Sequence, residues 1–162
     1  VHRLDRDTSG VVILAKDPDT QKMLRKQFQD RKTHKTYYAV IEGHPKLPEA
    51  MIDLPIARNL KRPTTFQVDQ NGKPSQTYYK VIQQNDKYSL VELKPTTGRT
   101  HQLRVHLKYL GTPIVGDVVY GNPDQRLFLH AKDLEITIPG KTGGERKVFT
   151  ADLPPEFKEK VK

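Results

Sequence analysis

Four short segments rich in β-branched and aromatic residues, closed by turn-forming residues, restrict this chain to a fold built on antiparallel strands. Lys35 to Glu42 alternates so that Tyr37, Ala39 and Ile41 share one face and Tyr38 and Val40 the other. Thr64 to Val68, Gln76 to Ile82 and Lys87 to Leu93 follow a Pro-containing connection and are joined by turns at Asn71-Gly72 and Asn85-Asp86. Short loops of this kind link strands that run in opposite directions. Leu127 to Ala131 and Leu134 to Ile138 read as two more strands, and Gly10 to Lys16, an apolar run between turn residues, as a buried one.

Helices flank these strands. Asp17-Pro18 is an N-cap followed by a first-turn proline, opening a helix to about Arg31 with Leu24 and Phe28 on its inner side. Thr100 is expected to cap a second helix whose apolar side is Leu103, Leu107 and Leu110 and which ends with Gly111 at C′. His101, Arg104 and Lys108 then point the same way. Gly116 to Gly121 reads as a loop, and the charged tail from Pro154 as a frayed helix. The expected fold class is α+β, a mixed, largely antiparallel sheet flanked by helices, with residues 1–162 forming one domain.

Charge narrows the partner. The 162 residues carry 28 Lys and Arg against 19 Asp and Glu, a formal net charge of +9, which favours a polyanion and above all nucleic acid. No apolar stretch approaches the length of a membrane-spanning helix, and no charged-then-apolar signal segment opens the chain. With no cysteine there are no disulfides, thiolate zinc sites or cysteine nucleophiles, which suits a cytoplasmic setting. His101 and His106 lack the carboxylates or third ligand of a metal site. Lys22, Arg25, Lys26, Arg31, Lys32 and Lys35 are expected to form one basic surface and Arg58, Lys61 and Arg62 another, both suited to phosphates.

The chemistry is concentrated at the start of the chain. His2-Arg3-Leu4-Asp5, followed by Thr8-Ser9-Gly10, puts one carboxylate on a loop that enters a strand. Such a carboxylate can be a nucleophile if a cation keeps it charged. Arg99 and Arg104, beside the free N–H groups of a helix start, form a natural anion site.

These blocks resemble, in order and spacing, the RluA/RluD type of pseudouridine synthase. The resemblance rests on His2 to Asp5 with Thr8 to Gly10, Lys35 to Ala39, Gly98 to His106, Gly116-Asp117 with Tyr120-Gly121, and Leu129-His130-Ala131, and it runs from Val1 to about Leu153. It implies the pseudouridine synthase fold and an RNA uridine isomerase that needs no metal or organic cofactor. Asp5 would be the nucleophile, attacking ribose C1′ or uracil C6. Tyr37 would pack on the base and help remove the C5 proton, Arg104 would pair with Asp5, Leu129 would line the pocket, and Arg3 would fill the space the uridine vacates. Arg99, His101 and Gln102 would contact RNA. The expected substrate is a uridine of 23S ribosomal RNA, with transfer RNA as the alternative, and the expected state is a monomer that lacks the N-terminal part of its family.

Physical reasoning gives Arg104 its role. A pocket that accepts an extruded base is partly dry and disfavours a charged carboxylate, and a guanidinium holding Asp5 in a bidentate fork would oppose this. A protein kinase is excluded, because the aspartate does not directly follow the arginine and no glycine-rich phosphate loop is present. A glycosidase needs a second acid, for which Asp117 is the only loop candidate. The serious rival is a non-catalytic RNA-binding module with the same fold, in which Asp5, Tyr37 and Arg104 need not converge.

Overall fold

A computed structural model describes residues 1–162. Asp17 caps the first helix through its side chain, accepting from Thr20 N at 2.8 Å, and α1 runs from Pro18 to Gln29. It ends two residues before the expected Arg31, which takes a positive φ of 56° while Lys32 N–H returns to Gln27 O. Leu24 is buried, and Phe28 packs beside it.

The main sheet has seven strands. β1 (Ser9–Gly10), β2 (His34–Glu42), β3 (Glu49–Asp53), β6 (Gln76–Gln84), β7 (Tyr88–Pro95) and β8 (Leu129–Gly140) lie in the order β1-β8-β2-β7-β6-β3, and β9 (Gly143–Thr150) pairs with β8. Every pairing is antiparallel except the short one between β1 and β8. The α+β class and its largely antiparallel sheet are therefore borne out. The Asn85-Asp86 turn joins β6 to β7, with Asn85 Oδ1 accepting from the backbone N–H of Lys87 and Tyr88.

Several elements differ from the sequence expectation. Gly10 to Lys16 is not a buried strand: pairing stops at Gly10, and Val12 and Leu14 are exposed while Val11, Ile13 and Ala15 face the α1 cluster. The two strands expected at 127–131 and 134–138 are one, β8, with a bulge at Lys132 where the register on β2 skips. The segment at 64–68 shortens to β5 (Phe66–Val68), which pairs with β4 (Ile56–Arg58) in a separate two-stranded sheet, so the Asn71-Gly72 turn does not close a hairpin onto β6. The tail is not a frayed helix: α3 (Pro155–Lys160) buries Phe157 completely between Phe128 and His130.

The core lies on both faces of the central strands. Ala39, Val40, Ile41, Leu90, Val91 and Leu93 are buried, and Leu103 and Leu107 from α2 (Gln102–Tyr109) belong to the same cluster as Phe128 and Phe157. Gly111 at φ 79° closes α2 as expected, but Thr100 does not cap it. His101 holds that position in the left-handed region at φ 57°, and the turn is tied instead by the Gln102 side chain, which accepts from Thr97 Oγ1 and Arg99 N–H.

β1 matters because it fastens the opening loop to β8. Ser9 and Gly10 pair with His130 and Ala131, Ser9 Oγ lies 2.8 Å from His130 Nδ1, and Arg126 Nη2 donates to Ser9 Oγ at 2.6 Å. Gly10 has φ 123°, and a Cβ there would stand 2.1 Å from Ala131 O. Gly10→Ala is therefore expected to cost about 2 kcal/mol or more, read as a lower urea midpoint, because the new carbon must push β1 off β8.

Candidate active site

Asp5 is carried by a tight turn just before β1, in which Thr8 N–H donates to Asp5 O at 3.1 Å. Tyr37 projects from β2 beside β8, its Cα partners being Leu93 and Ala131. Arg104 comes from the first turn of α2. Three distant stretches of chain thus deliver the three residues to one place: Asp5, Tyr37 and Leu129 line the same cleft of about 770 Å³, and Arg104 Nη1 stands 3.6 Å from Asp5 Oδ2. A volume of that order accommodates a nucleotide with part of its backbone.

The fork expected between Arg104 and Asp5 is made elsewhere. Arg104 Nε and Nη2 donate to Asp117 Oδ2 and Oδ1 at 2.8 and 2.9 Å, and the Asp117 side chain is fully buried. Asp117 Oδ1 also accepts from the N–H groups of Val119 and Tyr120. The guanidinium therefore keeps its bidentate grip on a structural acid and offers its remaining edge to Asp5. Burial pushes the Asp117 carboxyl up, but the hydrogen bonds and charge of Arg104 outweigh it and hold it below the ordinary carboxylate range. Burial likewise pulls Arg104 down, and Asp117 followed by Asp5 leaves it above its usual value. Asp117 does not line the cleft, so it is not a second acid across a scissile bond.

Residues 101, 104 and 108 do share one side, with His101 lining the cleft, and all three meet Tyr120. His101 Nδ1 is 2.6 Å from Tyr120 Oη, Arg104 lies over the Tyr120 ring, and Lys108 Nζ donates to Tyr120 O. Burial, then the charge of Arg104, lowers the His101 value and so favours the neutral imidazole. Gln102 has no polar group left for RNA: besides its two acceptor contacts, its amide donates to Gln76 O and Thr77 Oγ1. It braces the loop that carries Arg99. His106 is fully buried between Thr77 Oγ1 and Leu54 O.

The cleft wall is cationic. Arg3, Arg31, Lys35, Arg58 and Arg99 line it, and Asp5 is its single acid. Two contributors are not visible in the sequence. His2 stacks on Phe28 with centroids 4.6 Å apart and accepts Ile13 N–H at 3.0 Å, fixing the start of the Asp5 loop. Burial, more than any other cause, pushes it down to about 4. Thr8 Oγ1 is enclosed in the protein without a hydrogen-bond partner, on a residue that also lines the cleft. No three His, Asp or Glu side chains gather as a metal-binding group, and no helix is long and apolar enough to cross a membrane.

The chain as a whole is similar to known proteins. Residues 1–109 match the family described as RNA pseudouridylate synthase. The chain is 42% identical to the dual-specificity RNA pseudouridine synthase RluA of Vibrio parahaemolyticus, over 99% of its own length and 69% of that protein's. It is 43% identical to ribosomal large subunit pseudouridine synthase D of Borreliella burgdorferi, over 97% of its length but only 49% of that relative's. Among solved structures, human RNA pseudouridylate synthase domain containing 1 superposes with a TM-score of 0.83 at 34% identity, covering 96% of this chain and 70% of that one. The chain belongs to the RNA pseudouridylate synthase family, whose members are isomerases.

Replacing Asp117 by Asn leaves a buried guanidinium without its counter-charge, and the loss is expected to be about 3 to 5 kcal/mol, read by urea denaturation at pH 7. The contribution of the Asp117 carboxylate is complete above its unfolded value of about 4 and fades as pH falls through its lower folded value. Asp117→Asn should consequently lose less of its remaining stability on acidification than the parent chain.

Proposed function

We propose that this chain is the catalytic domain of an enzyme that isomerises uridine to pseudouridine in structured RNA. The observation that carries this reading is the position of Asp5: the only acid in a cationic cleft, 3.6 Å from a guanidinium that is itself locked in place. A non-catalytic RNA-binding module has no use for a lone acid there, since it repels phosphate.

In the proposed reaction the bond between C1′ and N1 breaks, the uracil turns, and C5 joins C1′. The C5 proton departs and N1 ends protonated, so no external reactant is required. Asp5 supplies the nucleophilic oxygen, at C1′ or at C6. The uridine has to leave its stack to expose both ring faces, and Tyr37 offers an aromatic wall for it, with Leu129 as an apolar one. Burial, and then the charge of Asp5, raises the Tyr37 phenol to about 12, so it is protonated at neutral pH. Its contribution is the ring; in the C1′ route the C5 proton passes to the Asp5 carboxylate that is freed when C5 attacks C1′, and in the C6 route it leaves as the bond between Asp5 and C6 is eliminated and the C5–C6 double bond is restored. Arg3, exposed on the same wall, fills the gap left in the RNA.

The resemblance to ribosomal large subunit and dual-specificity synthases supports 23S ribosomal RNA as the first substrate to assay, with transfer RNA as the second. Asp5→Asn is expected to lower isomerisation by at least about 10³-fold while leaving RNA affinity within about twofold, since one neutralised acid does not dismantle a basic surface. Pseudouridine is read by mass shift after derivatisation. An Asp5→Asn enzyme that still forms it refutes the nucleophile.

A further inference from the structure

Three cations of the cleft, Arg3, Arg31 and Lys35, have no hydrogen bond or ion pair in the molecule, and of these Lys35 alone is partly buried. The sequence pattern assigns Lys35 to a basic surface around α1 suited to phosphates; in the structure it stands on β2 two residues before Tyr37 and lines the same cleft, roughly 7 Å along the strand. It is half-buried, and its Nζ lies 3.4 Å from where a Cβ on Gly98 would sit. No hydrogen bond or ion pair holds this amine. The contrast with its neighbours is clear: Arg99 Nε donates to Pro74 O, Arg58 donates to Pro63 O and lies over Phe66, and Arg104 is forked onto Asp117.

The amine is nevertheless not sealed in. The one enclosed, unpartnered side-chain polar atom of the protein is Thr8 Oγ1, so Lys35 Nζ retains an opening, and the space it faces is the cleft. Burial lowers the ammonium from its ordinary value, and no neighbouring acid offsets this. A partly desolvated, unpaired charge costs stability. Such a cost is tolerated where a ligand brings the missing counter-charge.

Resting on the proposed function, we infer that Lys35 receives a backbone phosphate of the RNA strand whose uridine Tyr37 covers. The spacing favours phosphate over the base itself: the Lys35 and Tyr37 backbones are two strand residues apart on β2, a separation close to that between a nucleotide's phosphate and its base. The charge makes Lys35 a binding and positioning residue, while Asp5 remains the reacting group.

The test compares Lys35→Met and Lys35→Arg in the Asp5→Asn background, where no turnover occurs, using a short RNA hairpin with a uridine-only loop. Lys35→Met is expected to melt at the same or a higher temperature than its parent, because an uncompensated charge is removed while the stem is kept. It should bind the hairpin several-fold more weakly, with the slope of log affinity against log salt shallower by about 0.7 to 0.9. Lys35→Arg should restore the slope. An unchanged slope, or a lower melting temperature for Lys35→Met, overturns the assignment. With Asp5 restored, a Lys35→Met enzyme that loses rate at saturating RNA but keeps the parental slope also overturns it, placing the amine against the base. Binding is read without isomerisation, so failure here is distinct from failure of the isomerase reading.

Discussion

The ion pair between Arg104 and Asp117 sets the geometry on which the rest of the site depends. A guanidinium has one planar fork to give, and here it is given to a buried acid that is further held by two backbone N–H groups. That arrangement fixes α2 against the 116–121 loop and leaves one edge of Arg104 facing Asp5. Asp5 is thereby approached by a cation that cannot swing away, yet its carboxylate is not clamped by a hydrogen bond. A buried pair of this kind is weak support for stability in itself. Its value lies in orientation, because a nucleophile misplaced by about 1 Å can lose about 10²-fold in rate.

Much of this is legible in the sequence, for local reasons. The Asp17 cap, the Asn85-Asp86 turn and the Gly111 terminus are written in residues that act on their immediate neighbours. Helical spacing puts Arg104 and Lys108 on one side of α2, and with His101 at the cap before it Tyr120 meets all three. What escapes a sequence reading is non-local. Lys132-Asp133 looks like a strand boundary and is a bulge within β8, since the pairing on both sides is imposed by β2. Thr100 is a good capping residue by type, but Gln102 reaches back and satisfies the turn first. Asp117 reads only as a loop acid, because nothing near it in sequence reveals that Arg104 arrives from above.

The molecule also divides its cations by purpose. Those with structural duties are paired: Arg126 with Glu156, Lys160 with Asp124, Arg104 with Asp117. Those lining the cleft face a wall with a single acid, Asp5, and a polyanion bound there would relieve their mutual repulsion. Fold and function therefore pull apart at this wall, and the sheet, closed over a two-sided core and fastened to the Asp5 loop through Gly10, provides the stability that the cleft gives up.

In the proposed reaction Arg104 acts through fixed direction and not through charge alone. Lysine at that position keeps the charge and loses the fork. The single-turnover rate of Arg104→Lys at saturating RNA measures the difference most directly. A fall of about 10²-fold with unaltered RNA affinity is the predicted result. A rate within about twofold of the parent enzyme would contradict it, and would make the guanidinium no more than a countercharge.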